Sequence, residues 1–135
     1  MSTIGHPLSD LSNLLSPFAL APGSSIGSLA SRANPAFAAS AQTPGLPSRS
    51  QCLEWYSESA GWDPRSEAAW GDCFGLFRNS VIMQGIAARY ALGQASSAKA
   101  QEYAAQMNPF GEFAWTMIDR LKTLQTPKAA KAAKL

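Results

Sequence analysis

The chain has 135 residues, 46% of them apolar and 15% charged, with a formal net charge of +2. That length and balance suit one small globular domain with its own core and argue against a disordered tail. The basic excess collects at the far C-terminus in Lys122, Lys128, Lys131 and Lys134, so neither nucleic acid nor membrane is an expected partner. No run approaches the roughly twenty apolar residues of a membrane span, and the N-terminus lacks the basic start and apolar stretch of a secretory signal. Cys52 and Cys73 are too few and too distant for a metal cluster, and they read as buried free thiols of a reducing compartment rather than a disulfide.

A first short helix is expected from Pro7 to about Ser16. Proline suits its first position, where a missing N–H is no loss. Leu8, Leu11, Leu15 and Phe18 form its apolar stripe, and Pro17 is expected to end it. From about Ala21 to Pro47 the chain changes character. Pro22, Gly23, Pro35, Pro44, Gly45 and Pro47 punctuate a Ser/Ala-rich run without a sustained period. It reads as a long irregular loop with a weak turn near Ile26 to Ser31.

A second helix starts at a capping box, Ser48 with Gln51, and Gly61 is placed to end it in the left-handed conformation. Leu53, Tyr56 and Ala60 share its face. A third and longest helix follows Asp63-Pro64 and is expected from Ser66 to Leu92, with Gly93 ending it. Trp70, Phe74, Phe77, Val81, Gly85, Ala88 and Leu92 form one stripe. Leu76, Met83 and Tyr90 form a second, and Ile82 and Ile86 lie outside both. A helix apolar on most of its circumference is expected to be central and buried. Two more helices are expected over Ser97 to Met107 and Pro109 to Leu124, with Asn108 as N-cap of the latter. Phe110, Phe113, Met117, Leu121 and Leu124 give this last helix a face that can pack on the third. No strand is convincing, so the fold class is all-α, about five helices with one long loop.

Two blocks of residues carry a family resemblance. The opening Gly5-His6-Pro7-Leu8-Ser9-Asp10-Leu11 resembles the Gly-Asp/His-Pro-x-x-Asp-Leu motif of the aminoglycoside-phosphotransferase-like (kinase-like) superfamily. Gly45-Leu46-Pro47, Trp55-Tyr56, Gly61-Trp62-Asp63-Pro64, Phe74, Phe77-Arg78-Asn79, Ile82, Gln84-Gly85-Ile86 and Arg89 are similar to the branch fused in animals to acyl-CoA dehydrogenases. The resemblance reaches to about Leu124. It implies that residues 1–126 are a partial C-lobe of a phosphotransferase domain, with the irregular loop over about 21–47, followed by a flexible Lys/Ala tail over 127–135.

The resemblance further implies ATP-dependent phosphoryl transfer to a small molecule, with ATP and magnesium as cofactors of a complete member. Such chemistry needs a lysine on the phosphates, a catalytic-loop aspartate, an asparagine and a magnesium-binding aspartate. In the family all of these lie upstream of the segment seen here, the magnesium aspartate in an Asp-Trp-Glu immediately before it. No cofactor and no catalytic or metal residue is therefore expected in this chain, and Met1 is expected to be an internal residue taken for a start codon. The chain is expected to be inactive alone. The alternative is a non-catalytic helical binding module that pairs with a full-length paralogue or with itself.

Gly5, Pro7 and Asp10 are the structural residues of the first motif. The resemblance makes Asp10 a brace for backbone N–H groups of the catalytic loop, while the residues alone make it a first-turn aspartate favoured by the helix dipole. His6, the single histidine, has no partners spaced for metal binding or general-base work and reads as a helix-start residue. Arg78 and Arg89, eleven positions or three turns apart with Gly85 between, could line an acceptor pocket together with Gln84. The plainer reading pairs the two arginines with carboxylates such as Asp72, Glu112 or Asp119. Trp55, Tyr56, Trp62 and Trp70 read as core. Ala133-Lys134-Leu135 fits the small-basic-leucine pattern of the peroxisomal address and implies the peroxisomal import receptor as partner, the cytoplasm being the alternative location.

Overall fold

A computed structural model describes residues 5–21, 33–38 and 43–125. Its elements in chain order are α1 (Leu8–Leu14), α2 (Ser16–Ala19), a 3-10 turn (Pro35–Phe37), α3 (Arg49–Ala60), α4 (Ala68–Ala91), α5 (Ala100–Ala104) and α6 (Met107–Gln125). The described residues hold no strand, and the fold class is all-α. The weak turn expected near Ile26 to Ser31 and the C-terminal Ala133-Lys134-Leu135 lie outside the described residues.

Helix boundaries follow local chemistry. Ser48 Oγ accepts from the Gln51 N–H at 3.2 Å while Gln51 Oε1 accepts from the Ser48 N–H at 2.8 Å, the reciprocal box that starts α3. Gly61 then closes α3 at φ 65°, a left-handed conformation that a side chain would strain. Pro17 does not end the first helical segment as its sequence position suggests. The chain bends at Leu15 and restarts, and Pro17 occupies the first turn of α2, where its missing N–H is harmless. Asn108 likewise lies inside α6 rather than capping it. The chain runs from α5 into α6 almost without a break, the Gln106 N–H bonding to Tyr103 O at 3.0 Å and the Phe110 N–H to Gln106 O at 3.1 Å. Asn108 and Pro109 therefore share the first turn.

Two apolar clusters hold these helices together, and α4 contributes to both. In one, Leu76 and Met83 of α4 meet Phe110, Phe113 and Ala114 of α6, with Ile86, Tyr103, Met107 and Met117 around them. Ser80 Oγ adds a bond to Met107 O at 2.8 Å, and the bare Gly111 lets the helices close there. In the other cluster, Ala68 at the start of α4 packs with Leu11 and Leu15 of the N-terminal segment and Leu53 of α3. Tyr56, Cys52 and Phe18 flank it, and Phe18 meets Phe37 edge-on at 5.0 Å, which seats the 3-10 turn.

The expectation of a central α4 buried all round is corrected here. Its buried positions are Ala68, Gly71, Asp72, Cys73, Gly75, Leu76 and Met83. The stripe through Phe74, Phe77 and Val81 faces outward, those three being 50–57% exposed, and Leu92 is 70% exposed. The sequence carries two apolar faces, but the neighbouring helices cover only one. Leu124 is also open at 81%, past the end of the α4 contact, and Trp55 is 54% exposed rather than core.

Gly71 is the closest approach of α1 to α4. A Cβ there would lie 2.9 Å from Leu8 Cγ and 3.2 Å from Ser12 Cβ. Gly71→Val should therefore destabilise the fold by about 1–3 kcal/mol through overpacking. Gly75→Ala, where a Cβ meets nothing within 4 Å, should stabilise it by roughly 0.5–1 kcal/mol through helix propensity. Chemical denaturation of the two variants checks the pair, and equal effects of both would contradict this packing.

Candidate functional site

The polar groups that fold inward converge where α1, α3 and α4 meet. Asp72 is the single carboxylate of α4, and it lies on the buried side of the helix at 9% exposure. Its Oδ2 accepts from Arg49 Nη2 at 2.7 Å, from a residue 23 positions earlier in the first turn of α3. Its Oδ1 is buried with no hydrogen-bond partner. Beside it Ser12, Ser16, Ala19, Gly75, Leu76 and Asn79 line a crevice of about 10 Å³. That space suits a single water and no substrate.

Six positions further along α4, Arg78 fastens α1 to α4. Its two terminal nitrogens donate to Ser9 Oγ at 3.1 Å and Asn13 Oδ1 at 2.8 Å. The carboxylates of the plainer reading are not its partners, and Asp72 goes to Arg49 instead. Ser12, buried between these contacts, donates to Leu8 O and Ser9 O within α1. Arg89 is exposed with its guanidinium lying over Gly85, and Gln84 is exposed as well. Arg78 thus belongs to the α1–α4 seam while Gln84 and Arg89 stand in the open.

The residues of the first motif shape the start of α1. Pro7 is its N-cap residue, with Pro7 O accepting from the Asp10 and Leu11 N–H groups. His6 Nδ1 accepts from the Leu8 N–H at 3.2 Å, and its ring meets Trp62 edge-on at 5.2 Å. His6 is thus used at the helix start, tying α1 to the turn after α3. Asp10 is exposed in the first turn, and Gly5 is exposed with open space around it. Among the described residues no three His, Cys, Asp or Glu side chains group as a metal site, and no helix is long and apolar enough to cross a membrane.

Arg49 is the site residue that the sequence reading overlooked. Its signal was indirect, a carboxylate set among apolar residues of α4 that required a cation from elsewhere. No family model, no curated protein and no solved structure matches this chain, so the family resemblance rests on its motif residues alone.

Burial raises the Asp72 carboxyl from 3.8 to about 6, and the Arg49 charge and hydrogen bond offset only part of that rise. Burial, aided by the Asp72 charge, also pushes the Cys73 thiol to about 11. Both cysteines are free, Cys73 fully buried and Cys52 partly so. An acid whose folded pKa exceeds its unfolded value binds its proton more tightly when folded. The stability that Asp72 contributes is therefore complete below about pH 4 and is lost as the pH climbs to about 6, by about 2–3 kcal/mol. Asp63, held below its ordinary value by hydrogen bonds from Arg65, acts in the opposite sense. Comparison with Asp72→Asn separates the two. Urea denaturation across that pH range should show a decline in the native protein that Asp72→Asn removes, and identical profiles would contradict the assignment.

Proposed function

We propose that this chain is the C-terminal helical part of an ATP-dependent small-molecule phosphotransferase (kinase-like) family protein, acting as the scaffold of its C-lobe. In this reading the phosphate-transferring residues lie upstream, and ATP and magnesium bind there. One observation carries the proposal. The two sequence blocks that resemble the family sit against each other, Arg78 of the Phe-Arg block bonding to Ser9 and Asn13 on the helix opened by the Gly-His-Pro block. Gly71, within the span of the second block and just ahead of its Phe74, provides the clearance that lets the two helices meet. Residues chosen for a shared function in one lobe would be expected to be neighbours in it.

In the same reading Asp10 points out of α1 toward the catalytic loop it would brace, and its exposure here leaves it open for that contact. The small crevice at Asp72 is a structural seam, while an acceptor pocket would need surface from the upstream part. The codons immediately before Met1 should encode an in-frame Asp-Trp-Glu with a catalytic loop ahead of it. A chain extended through them should bind Mg-ATP in calorimetry, whereas the 135-residue chain should give no binding heat. An upstream sequence without those residues, or micromolar Mg-ATP binding by the chain itself, would overturn the reading.

We further propose a peroxisomal location, on the strength of Ala133-Lys134-Leu135 and the basic Lys128 and Lys131 before it. A fluorescent protein ending in Thr126 to Leu135 should collect in peroxisomes, and deletion of Leu135 should release it to the cytosol. Diffuse fluorescence from the intact fusion would refute the address.

A further inference from the structure

The outward stripe of α4 is an apolar surface that the described residues leave uncovered. Phe74 is 52% exposed, Phe77 57%, Val81 50% and Leu92 70%. On a helical projection these positions lie opposite Leu76 and Met83, which face the core. None of the stripe positions is itself a charged residue. Its basic neighbours stand at the edge, Arg78 tied down to α1 and Arg89 lying over Gly85.

The spacing of the stripe is symmetric about Val81. Going outward in either direction, Phe77 corresponds to Gly85, Phe74 to Ala88 and Trp70 to Leu92. If two copies of α4 cross antiparallel with a twofold axis through Val81, each Phe77 ring falls on Gly85 of the other chain and on the Arg89 guanidinium that lies over it. Each Phe74 then falls on Ala88. A large side chain meets a small residue at both positions, which is the self-complementarity that an isologous contact requires. The Arg89 guanidinium, lying over Gly85, is placed to stack on the incoming ring.

The exposed area is of the right order. Aromatic side chains present roughly 150–250 Å² each and aliphatic ones somewhat less. The exposed fractions of these residues, with the open Ala88, then leave roughly 450 Å² on one chain and roughly 900 Å² on two, close to the threshold for a specific interface. We infer that α4 is a self-association surface, on which a second copy of this chain packs antiparallel about Val81. The inference is independent of the family reading.

Sedimentation across a concentration series should show a monomer–dimer equilibrium. Val81→Asp sets two carboxylates face to face on the axis and should weaken the dimer by roughly a hundredfold or more, with an unchanged helical circular dichroism spectrum. Cross-linking tests the register without relying on that variant's fold. Val81→Cys, which meets its own symmetry mate, should oxidise to a disulfide-linked dimer much faster than Leu14→Cys, a more open position elsewhere. Phe74→Cys mixed with Ala88→Cys should cross-link, and Ala88→Cys alone should not. A monomer at every concentration would overturn the proposal and assign the stripe to another protein or to a segment of this chain. A dimer insensitive to Val81→Asp, or a Val81→Cys rate no faster than that of Leu14→Cys, would overturn it as well.

Discussion

Everything in this fold depends on one helix having to serve two clusters that do not touch along its length. The N-terminal end of α4 supplies Ala68 to the cluster of α1 and α3, and its middle supplies Leu76 and Met83 to the cluster with α6. Neither cluster is large, and a small domain has little area to spare. The rigidity of a single 24-residue helix is what lets them act together. Removing side-chain bulk at Gly71, and fixing Arg78 across the seam, are the two local arrangements that hold α1 in register on that helix.

The price of the arrangement appears at Asp72. A carboxylate on the inner side of α4 must be desolvated, and one arginine at 31% exposure does not fully compensate it. Buried ion pairs often contribute little net stability, because desolvation opposes the attraction. What this pair does provide is direction. Arg49 is the first residue of α3, directly after its N-cap Ser48 and inside the capping box, so the bond fixes where α3 begins relative to α4. The cluster of Leu11, Leu15 and Leu53 then closes over a defined geometry.

Much of this was legible from residue order. The Ser48–Gln51 box, the glycine stops at Gly61 and Gly93 and the inward faces of α1 and α6 are local signals, and each appears where its chemistry requires. The failures share a cause. Pro17 and Asn108 look like boundaries when a residue type is taken alone, whereas each sits in the first turn of a helix restarted by its neighbours. The stripe from Trp70 to Leu92 was found correctly as a stripe, but periodicity cannot say which of two apolar faces the rest of the chain will cover. The Arg49–Asp72 pair is a tertiary contact, and nothing in the spacing of its members announces it. As for the candidate site, the start of α1 was readable from its motif, while the partners of Arg78 were not.

The burial of Cys73 has a consequence for the chemical endurance of the protein. Thiols react with peroxides and electrophiles as thiolates, and only in proportion to their access. A group held near 11 and sealed between α4 and its neighbours is almost entirely SH at cellular pH. Oxidants that reach the folded chain therefore meet the partly covered Cys52 on α3 first. The sulfur closest to the helix seam is spared for as long as the seam stays shut, so its oxidation state would serve as a chemical record of whether the fold has ever opened.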